Sequence, residues 1–180
     1  MTDTSTPQNY ILYRAAAFMY QPGYPYTQGA TPVVPAAQVS SPAGTVVGTQ
    51  QMTSLTGVTA PDGFAYALDA DGKYPVGSIY TPSTEYTLSG ASTATAGTAL
   101  TLTLTPDNDG PGADTTVTLS DGNAGGTFSA DTVTFNGCTN TAQTVTYTPK
   151  AAGTVTISAT NTDGLTNPAS LSVTVAAAAV

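Results

Sequence analysis

The chain has 180 residues and a formal net charge of −8 at pH 7, with only three basic residues, Arg14, Lys73 and Lys150. So few dispersed cations cannot neutralise a phosphate backbone or hold an anionic bilayer surface, so we expect neither nucleic acid nor a membrane as a partner. Charged residues make up 8% of the chain, against roughly 25% in an ordinary globular domain, and no apolar run approaches the roughly 20 residues of a membrane span.

The N-terminal stretch MTDTSTPQNYILYRAAAFMY has no basic region at its start, and Arg14 interrupts its apolar part, so no secretory signal is predicted. The abundance of Thr, Ser, Gly and Ala is nevertheless typical of an extracellular surface. A virion protein, which is assembled in the host cytoplasm and released by lysis, satisfies both observations. A shortened chain and an unrecognised export route are the alternatives.

Residues 1–84 are predicted to form an extended attachment arm rich in Pro and Tyr or, alternatively, a small β-subdomain. They hold nine of the 13 prolines and eight of the 10 tyrosines. Tyrosine supplies a large contact area at a low cost in side-chain entropy. The candidate partner-binding residues are therefore Tyr10, Tyr13, Tyr20, Tyr24 and Tyr26.

Within this part, residues 10–20 fit either one short helix or a strand added to a partner. The prolines of residues 21–44 predict irregular structure, because proline donates no backbone hydrogen bond. Residues 44–58 have strand character, and residues 64–80 are predicted to form a hairpin across the Asp69-Ala70-Asp71-Gly72 turn.

A Pro/Ser/Thr stretch at residues 81–85 marks the predicted boundary between the two parts. Beyond it, apolar residues alternate strictly with threonine, as in residues 99–105, which predicts strands with one buried face. The predicted strands are residues 85–90, 99–105, 115–120, 126–137, 143–149, 153–160 and 170–175. Seven short strands separated by Gly, Asn and Asp turns predict an all-β, immunoglobulin-like sandwich over residues 85–180.

The predicted core consists of the apolar residues on the inward face of these strands. It comprises Leu100, Leu102, Leu104, Val117, Leu119, Phe128, Val133, Phe135, Val145, Tyr147, Val155, Ile157, Leu171, Val173 and Val175. Tyr86 is the one aromatic residue of this half that is not assigned to the core, which leaves little for an aromatic sugar-binding platform.

Three local patterns, GTF…VTF (126–135), YTP…AGT (147–154) and TN…GLTNP (160–168), resemble the bacterial and phage Ig-like modules of adhesins and virion surface proteins. The resemblance covers roughly residues 85–180. It implies a spacer or adhesive module and brings no catalytic residues. The sequence lacks the cysteine pair and core tryptophan of antibody domains, as is usual for the bacterial modules.

No catalytic or cofactor-binding residues are predicted. The chain has no histidine, so it can form neither a Ser-His-Asp nor a Cys-His arrangement, and it lacks the ligands of a zinc site. Its only glutamate is Glu85, and nearly every aspartate lies in a turn beside Gly, Asn or Pro. We therefore expect a non-enzymatic protein without a cofactor.

The one metal hypothesis concerns calcium. Asp107-Asn108-Asp109-Gly110, with Asp114 downstream, groups oxygen ligands, but the bidentate glutamate of an EF-hand is missing. Turn chemistry explains this segment and the Asp69–Gly72 segment without a metal, so no metal site is predicted. The single cysteine, Cys138, is placed in a turn and interpreted as a bystander, with a cross-linking role as the alternative.

The leading functional hypothesis is a capsid decoration protein of a tailed phage. Its N-terminal part would dock on the major capsid protein or another virion protein, with homo-oligomers on the particle as an option. Its Ig-like domain would then give weak adhesion, with host-surface glycans as the candidate ligands. The alternative is a bacterial cell-surface adhesin or spacer module.

Overall fold

The computed structural model describes residues 6–23 and 34–179. The chain divides into two compact units, Met1–Thr81 and Pro82–Val180. This division falls at the beginning of the Pro/Ser/Thr stretch of residues 81–85. Each unit contains its own buried core.

The described part of the first unit contains five strands. They are β1 Gln8–Arg14, β2 Phe18–Tyr20, β3 Gln38–Ser41, β4 Val46–Met52 and β5 Phe64–Leu68. Strand β1 is the centre of a three-stranded antiparallel sheet with the order β4-β1-β5. Both edges of β1 are thus paired within the chain. Of the two alternatives for residues 10–20, the helix is wrong; β1 is a strand, but it pairs within the chain and is not left open for a partner.

Strands β2 and β3 form a separate two-stranded antiparallel ribbon, in which Tyr20 pairs with Gln38 and Met19 with Val39. The prediction of irregular structure for residues 21–44 is therefore wrong at Gln38–Ser41. This segment contains no proline, so all of its backbone amides can donate. Residues 24–33 lie outside the described residues.

The hairpin predicted across Asp69–Gly72 does not form, because the chain does not return along β5. Residues 77–80 instead run beside residues 44–46. The amide of Val46 donates to the carbonyl of Ser78 (2.9 Å), and that of Tyr80 donates to the carbonyl of Gly44 (2.9 Å). Asp69 closes the intervening loop, because its buried carboxylate accepts the amides of Lys73 (2.8 Å) and Tyr74 (2.9 Å).

The first unit has a tyrosine-rich core. The ring of Tyr80 is fully buried and makes edge-to-face contacts with Tyr13 (centroids 5.1 Å apart) and Tyr74 (5.2 Å). Gly44 has φ +82°, and a Cβ there would collide with the carbonyl oxygen of Tyr80, so only glycine allows this close approach. A unit with a core of this kind is a small β-subdomain rather than an extended arm.

The second unit contains nine strands. They are β6 Tyr86–Gly90, β7 Thr93–Thr95, β8 Leu100–Pro106, β9 Thr115–Ser120, β10 Thr127–Phe128, β11 Thr132–Phe135, β12 Gln143–Thr148, β13 Gly153–Asn161 and β14 Leu171–Ala176. Every predicted strand is present. Strand β7 was not predicted, and the predicted strand 126–137 is divided into β10 and β11.

These strands form two sheets, with the orders β10-β12-β8-β6 and β11-β9-β13-β14-β7. Strands β10 and β11 belong to different sheets, because the chain bends between them at residues 129–131 and crosses from β12 to β9. Strand β7 pairs parallel to β14. Strands β8 and β12 lie side by side in the first sheet, and strands β9, β13 and β14 lie side by side in the second. This arrangement is that of an immunoglobulin-like sandwich.

The two apolar faces meet in one buried core. All predicted core residues belong to it or pack against it, although Phe128, Val133 and Leu171 are only partly buried. The placement of Tyr86 outside the core is wrong: its ring is 2% exposed and lies 5.5 Å from that of Phe135. Tyr86 occupies the first position of β6, where few neighbouring residues reveal the alternation.

Replacing Ile157 by Ala is expected to lower the free energy of unfolding of the second unit by about 2–5 kcal/mol, as for other core truncations. Ile157 is fully buried in β13, whereas its neighbour Thr156 faces solvent. Urea denaturation of a fragment containing residues 82–180 measures the change. Thr156→Ala is the matched control, and a larger loss for Thr156→Ala than for Ile157→Ala would contradict the register of β13.

Candidate binding surface

Three of the five candidate partner-binding tyrosines lie within the described residues, and they differ in exposure. Tyr10 and Tyr13 are buried, at 7% and 9% exposed, because they belong to the central strand of the first sheet. Their rings pack in the interior and offer no surface to a partner, which corrects their assignment. Tyr20 is 54% exposed in β2, and its role in binding stays a prediction. Tyr24 and Tyr26 lie outside the described residues.

Among the described residues, the exposed large apolar side chains all belong to the first unit. Within residues 82–179, no large apolar side chain is exposed. The exposed set in the described part of the first unit is Phe18, Met19, Tyr20, Val34, Val39, Val47, Val58, Val76 and Ile79. Four of these, Phe18, Met19, Tyr20 and Val39, lie on the ribbon formed by β2 and β3. Such clustering on one element is a feature of protein interaction sites.

Sequence reasoning missed this ribbon as a structural element. The signal that could have found it is charge: residues 15–61 contain no Asp, Glu, Lys or Arg. A long uncharged segment with a run such as Phe-Met-Tyr must either enter a core or remain an exposed apolar surface. The ribbon remains an exposed apolar surface, since every residue of β2 is exposed.

Arg14 lies at the end of β1, at the base of the ribbon. Its Cζ is 4.9 Å from the ring centroid of Phe18 in β2 and 5.0 Å from that of Phe64 in β5. Its Nε is buried and has no hydrogen-bond acceptor among the described residues. Sequence reasoning used Arg14 as one of three cations and as the residue that interrupts the N-terminal apolar stretch, and it missed this position.

The suspected calcium loop uses its carboxylates to hold its own backbone. Oδ1 of Asp107 accepts the amides of Thr84 (2.9 Å) and Glu85 (3.1 Å), and Oδ2 accepts the Thr84 hydroxyl (3.1 Å). Burial acts to raise the pKa of Asp107, but these hydrogen bonds outweigh it and hold the pKa below its ordinary value. Asp114 accepts the amide of Gly137 (2.9 Å). These carboxylates therefore tie the loop to the beginning of β6 and to the end of β11.

Another carboxylate, that of Asp121, holds the turn after β9. Asp121 accepts the amides of Asn123 (3.1 Å) and Gly126 (2.9 Å) and the hydroxyl of Tyr147 (3.0 Å). A side chain at Gly126 would collide with the Tyr147 phenol, so the backbone approaches the ring closely. Burial, the hydrogen bond to Asp121 and the negative charge of Asp121 together raise the pKa of Tyr147 to about 12.

Cys138 lies in a turn, as predicted, with φ +53° and its amide bonded to the carbonyl of Pro111 (2.8 Å). Its side chain is 1% exposed. A buried thiol is poorly placed for an intermolecular cross-link, which requires access to a second thiol.

In the described parts of the chain, no group of three or more His, Cys, Asp or Glu side chains is placed to hold a metal ion. Nor does any helix in residues 6–23 and 34–179 have the length and apolar character to cross a bilayer. The chemistry that these surfaces offer is contact: apolar side chains, open strand edges and one arginine on the first unit, and hydroxyl-rich strands on the second.

Replacing Asp107 by Ala should destabilise the second unit by about 1–2 kcal/mol, because two backbone amides lose their acceptor. The loss should be equal in EDTA and in millimolar Ca²⁺, as measured by thermal melts. A Ca²⁺-dependent rise in the melting temperature that disappears in the variant would contradict this.

The contribution of Asp107 should also depend on pH. Since the pKa of Asp107 is lowered on folding, its ionised form stabilises the fold above the ordinary pKa. The difference in unfolding free energy between the wild type and Asp107→Asn should therefore shrink as the pH falls.

The stability of the second unit should fall between pH 10 and pH 12. The folded state keeps the Tyr147 proton up to a pKa of about 12, whereas the unfolded state loses it near 10. The neutral hydroxyl therefore stabilises the fold fully below pH 10, and roughly 1–3 kcal/mol is lost as the pH rises through the folded pKa. Urea denaturation across this range should show a smaller fall in Tyr147→Phe. An equal fall in both proteins would assign the effect to other groups.

No protein-family model matches the chain, and no curated protein sequence matches it. Among solved structures, it is similar to the CARDB domain of the PF1109 protein from Pyrococcus furiosus, with 16% identity and a TM-score of 0.38 over 51% of this chain and 85% of that one. The D00-D0 domain of intimin gives 15% identity and a TM-score of 0.37 over 96% and 87%. S-layer protein SbsC domains 4 and 5 give 20% and 0.36 over 64% and 63%. At these values the likeness carries no conclusion about function.

Proposed function

We propose that this chain is a structural protein of a tailed-phage virion, specifically a capsid decoration protein. The first unit docks on the major capsid protein or another virion protein. The sandwich is displayed at the particle surface, where it provides weak adhesion, with host-surface glycans as its ligand class. The protein is non-catalytic in this role and uses no cofactor.

The observation that carries the proposal is the unequal distribution of apolar surface. All exposed large apolar side chains of the described residues belong to the first unit. Burying such surface against a partner is favourable by about 25 cal/mol per Å², and an open strand edge adds backbone donors and acceptors. The first unit is therefore the one suited to permanent attachment.

The second unit has the opposite character. Its strands place threonine and serine outward, as at Thr101, Thr156 and Ser172, and bury their aliphatic residues. Such a surface binds weakly and resists aggregation in spite of the low charge. The resemblance of residues 85–180 to Ig-like modules of adhesins and virion surface proteins supports a display role.

A fragment of residues 82–180 should be soluble and monomeric and should not bind particles assembled without this chain. Residues 1–81, fused to an unrelated carrier, should bind those particles in a sedimentation assay. The carrier alone is the control. Binding by the sandwich fragment, with the first unit dispensable, would overturn the division of roles. Retention of the whole chain on bacterial cells but not on particles would favour the adhesin alternative.

A further inference from the structure

Arg14 is the only charged residue between Asp3 and Asp62. It therefore provides the single ionic group in an otherwise uncharged part of the chain. Phe64 is its cross-strand partner in β5, whereas Phe18 begins β2 of the ribbon. The guanidinium thus lies where the three-stranded sheet meets the ribbon, with an aromatic ring from each against it.

The contacts of Arg14 are incomplete. Aromatic rings interact with the face of a guanidinium and leave its N–H donors, which lie in its plane, unused. Nε is buried and has no acceptor within the described residues. Buried donors in proteins are nearly always hydrogen-bonded, and arginine cannot lose its proton to avoid the cost. Arg14 as a whole residue is only partly buried, so an acceptor from outside can approach the guanidinium and would complete this site.

We propose that Arg14 is a carboxylate-binding site that receives an Asp or Glu side chain from an extended segment of the docking partner. This inference rests on the proposed function and names the contact by which the first unit attaches. The partner segment pairs with the open edge of β2, and its apolar residues cover Phe18, Met19 and Tyr20.

The chemistry of the surface selects this ligand. A planar guanidinium in contact with two rings presents paired donors that match the two oxygens of a carboxylate. The ribbon has only β2 and β3, so β2 has one paired edge within the described residues and one that can accept an added strand. A nucleic acid would need several cations, and only one is present on this surface. An apolar peptide strand with one acidic residue complements both the charge and the strand edge.

The first test compares full-length variants for binding to particles assembled without the chain. Arg14→Met keeps the aliphatic stem but removes the donors, and it should weaken binding by roughly 30-fold or more. Lys73→Met is the matched control, because Lys73 is also stacked on an aromatic ring of the first unit, with Nζ 4.8 Å from the centroid of Tyr74. Its binding should equal that of the wild type.

The apolar part of the contact has its own pair of variants. Tyr20→Ser should weaken binding, whereas Val76→Ser should not, because Val76 is at least as exposed as Tyr20 and belongs to the same unit but lies outside the ribbon. Unchanged binding by Arg14→Met would overturn the carboxylate site. Equal effects of Tyr20→Ser and Val76→Ser would overturn the ribbon as the contact. In either case the binding of residues 1–81 to particles would still support the proposed function.

The second test needs no partner and covers the case in which Arg14→Met perturbs folding. Because the chain has a single arginine, its Nε–H gives one unambiguous signal in a proton–nitrogen NMR spectrum. Titration with a capped peptide containing one glutamate between apolar residues should shift this signal saturably, and the matching glutamine peptide should not. Equal shifts, or none, would overturn the inference. Arg14-dependent binding to a sialylated glycan but not to the peptide would overturn the assignment to a polypeptide.

Discussion

Burial of one face of each sheet against the other is the constraint on which the second unit depends. Its strands carry an aliphatic or aromatic residue at every second position, and the buried cluster draws on both sheets. With only 8% charged residues in the chain, threonine must keep the outer faces hydrated, and its β-branched side chain also suits extended backbone. The alternation thus specifies the core and the solvent face together, and a shift of one residue would exchange them completely.

The scarce carboxylates have a second use, which is to fix the connections between strands. Asp69 and Asp121 each accept two backbone amides within their own turn, whereas Asp107 accepts two amides from residues 84 and 85 and so ties its loop to the beginning of β6. Charge-assisted hydrogen bonds of this kind are stronger than neutral ones. Much of the negative charge therefore lies in the turns. For this reason, turn segments with two aspartates, such as Asp69–Gly72 and Asp107–Gly110, look like calcium-binding loops in the sequence.

The sequence predicted local conformation better than it predicted sheet membership. The period of two was sufficient for the strands of residues 85–180, but β10 and β11 look like one strand because the change of sheet between them depends on which neighbours they meet. The turn at Asp69 looks like a hairpin for a similar reason: an aspartate that caps a loop and one that begins a hairpin have the same neighbours. In the first unit, β1 is a strand because β4 and β5 pair with it, and no local pattern contains that information. The burial of Tyr10 and the exposure of Tyr20 likewise depend on tertiary packing. Residue type alone therefore selected tyrosines as candidates but did not show which of them lie on the surface.

Arg14 is the only charged residue in the long segment of the first unit between Asp3 and Asp62. Removing a guanidinium from water costs hydration free energy. Two aromatic rings compensate only for the hydration lost over the faces of the group, and they leave its in-plane N–H donors without acceptors. Acidic residues outnumber basic ones by 11 to three in this chain, so an internal carboxylate would be the ordinary partner of an arginine, yet residues 15–61 supply none. The same absence of charge that leaves the ribbon apolar therefore leaves the arginine without an acceptor from its own segment. A single charged group on an apolar surface discriminates strongly among partners. A strand that lacks the matching carboxylate would bury the Arg14 guanidinium without compensation.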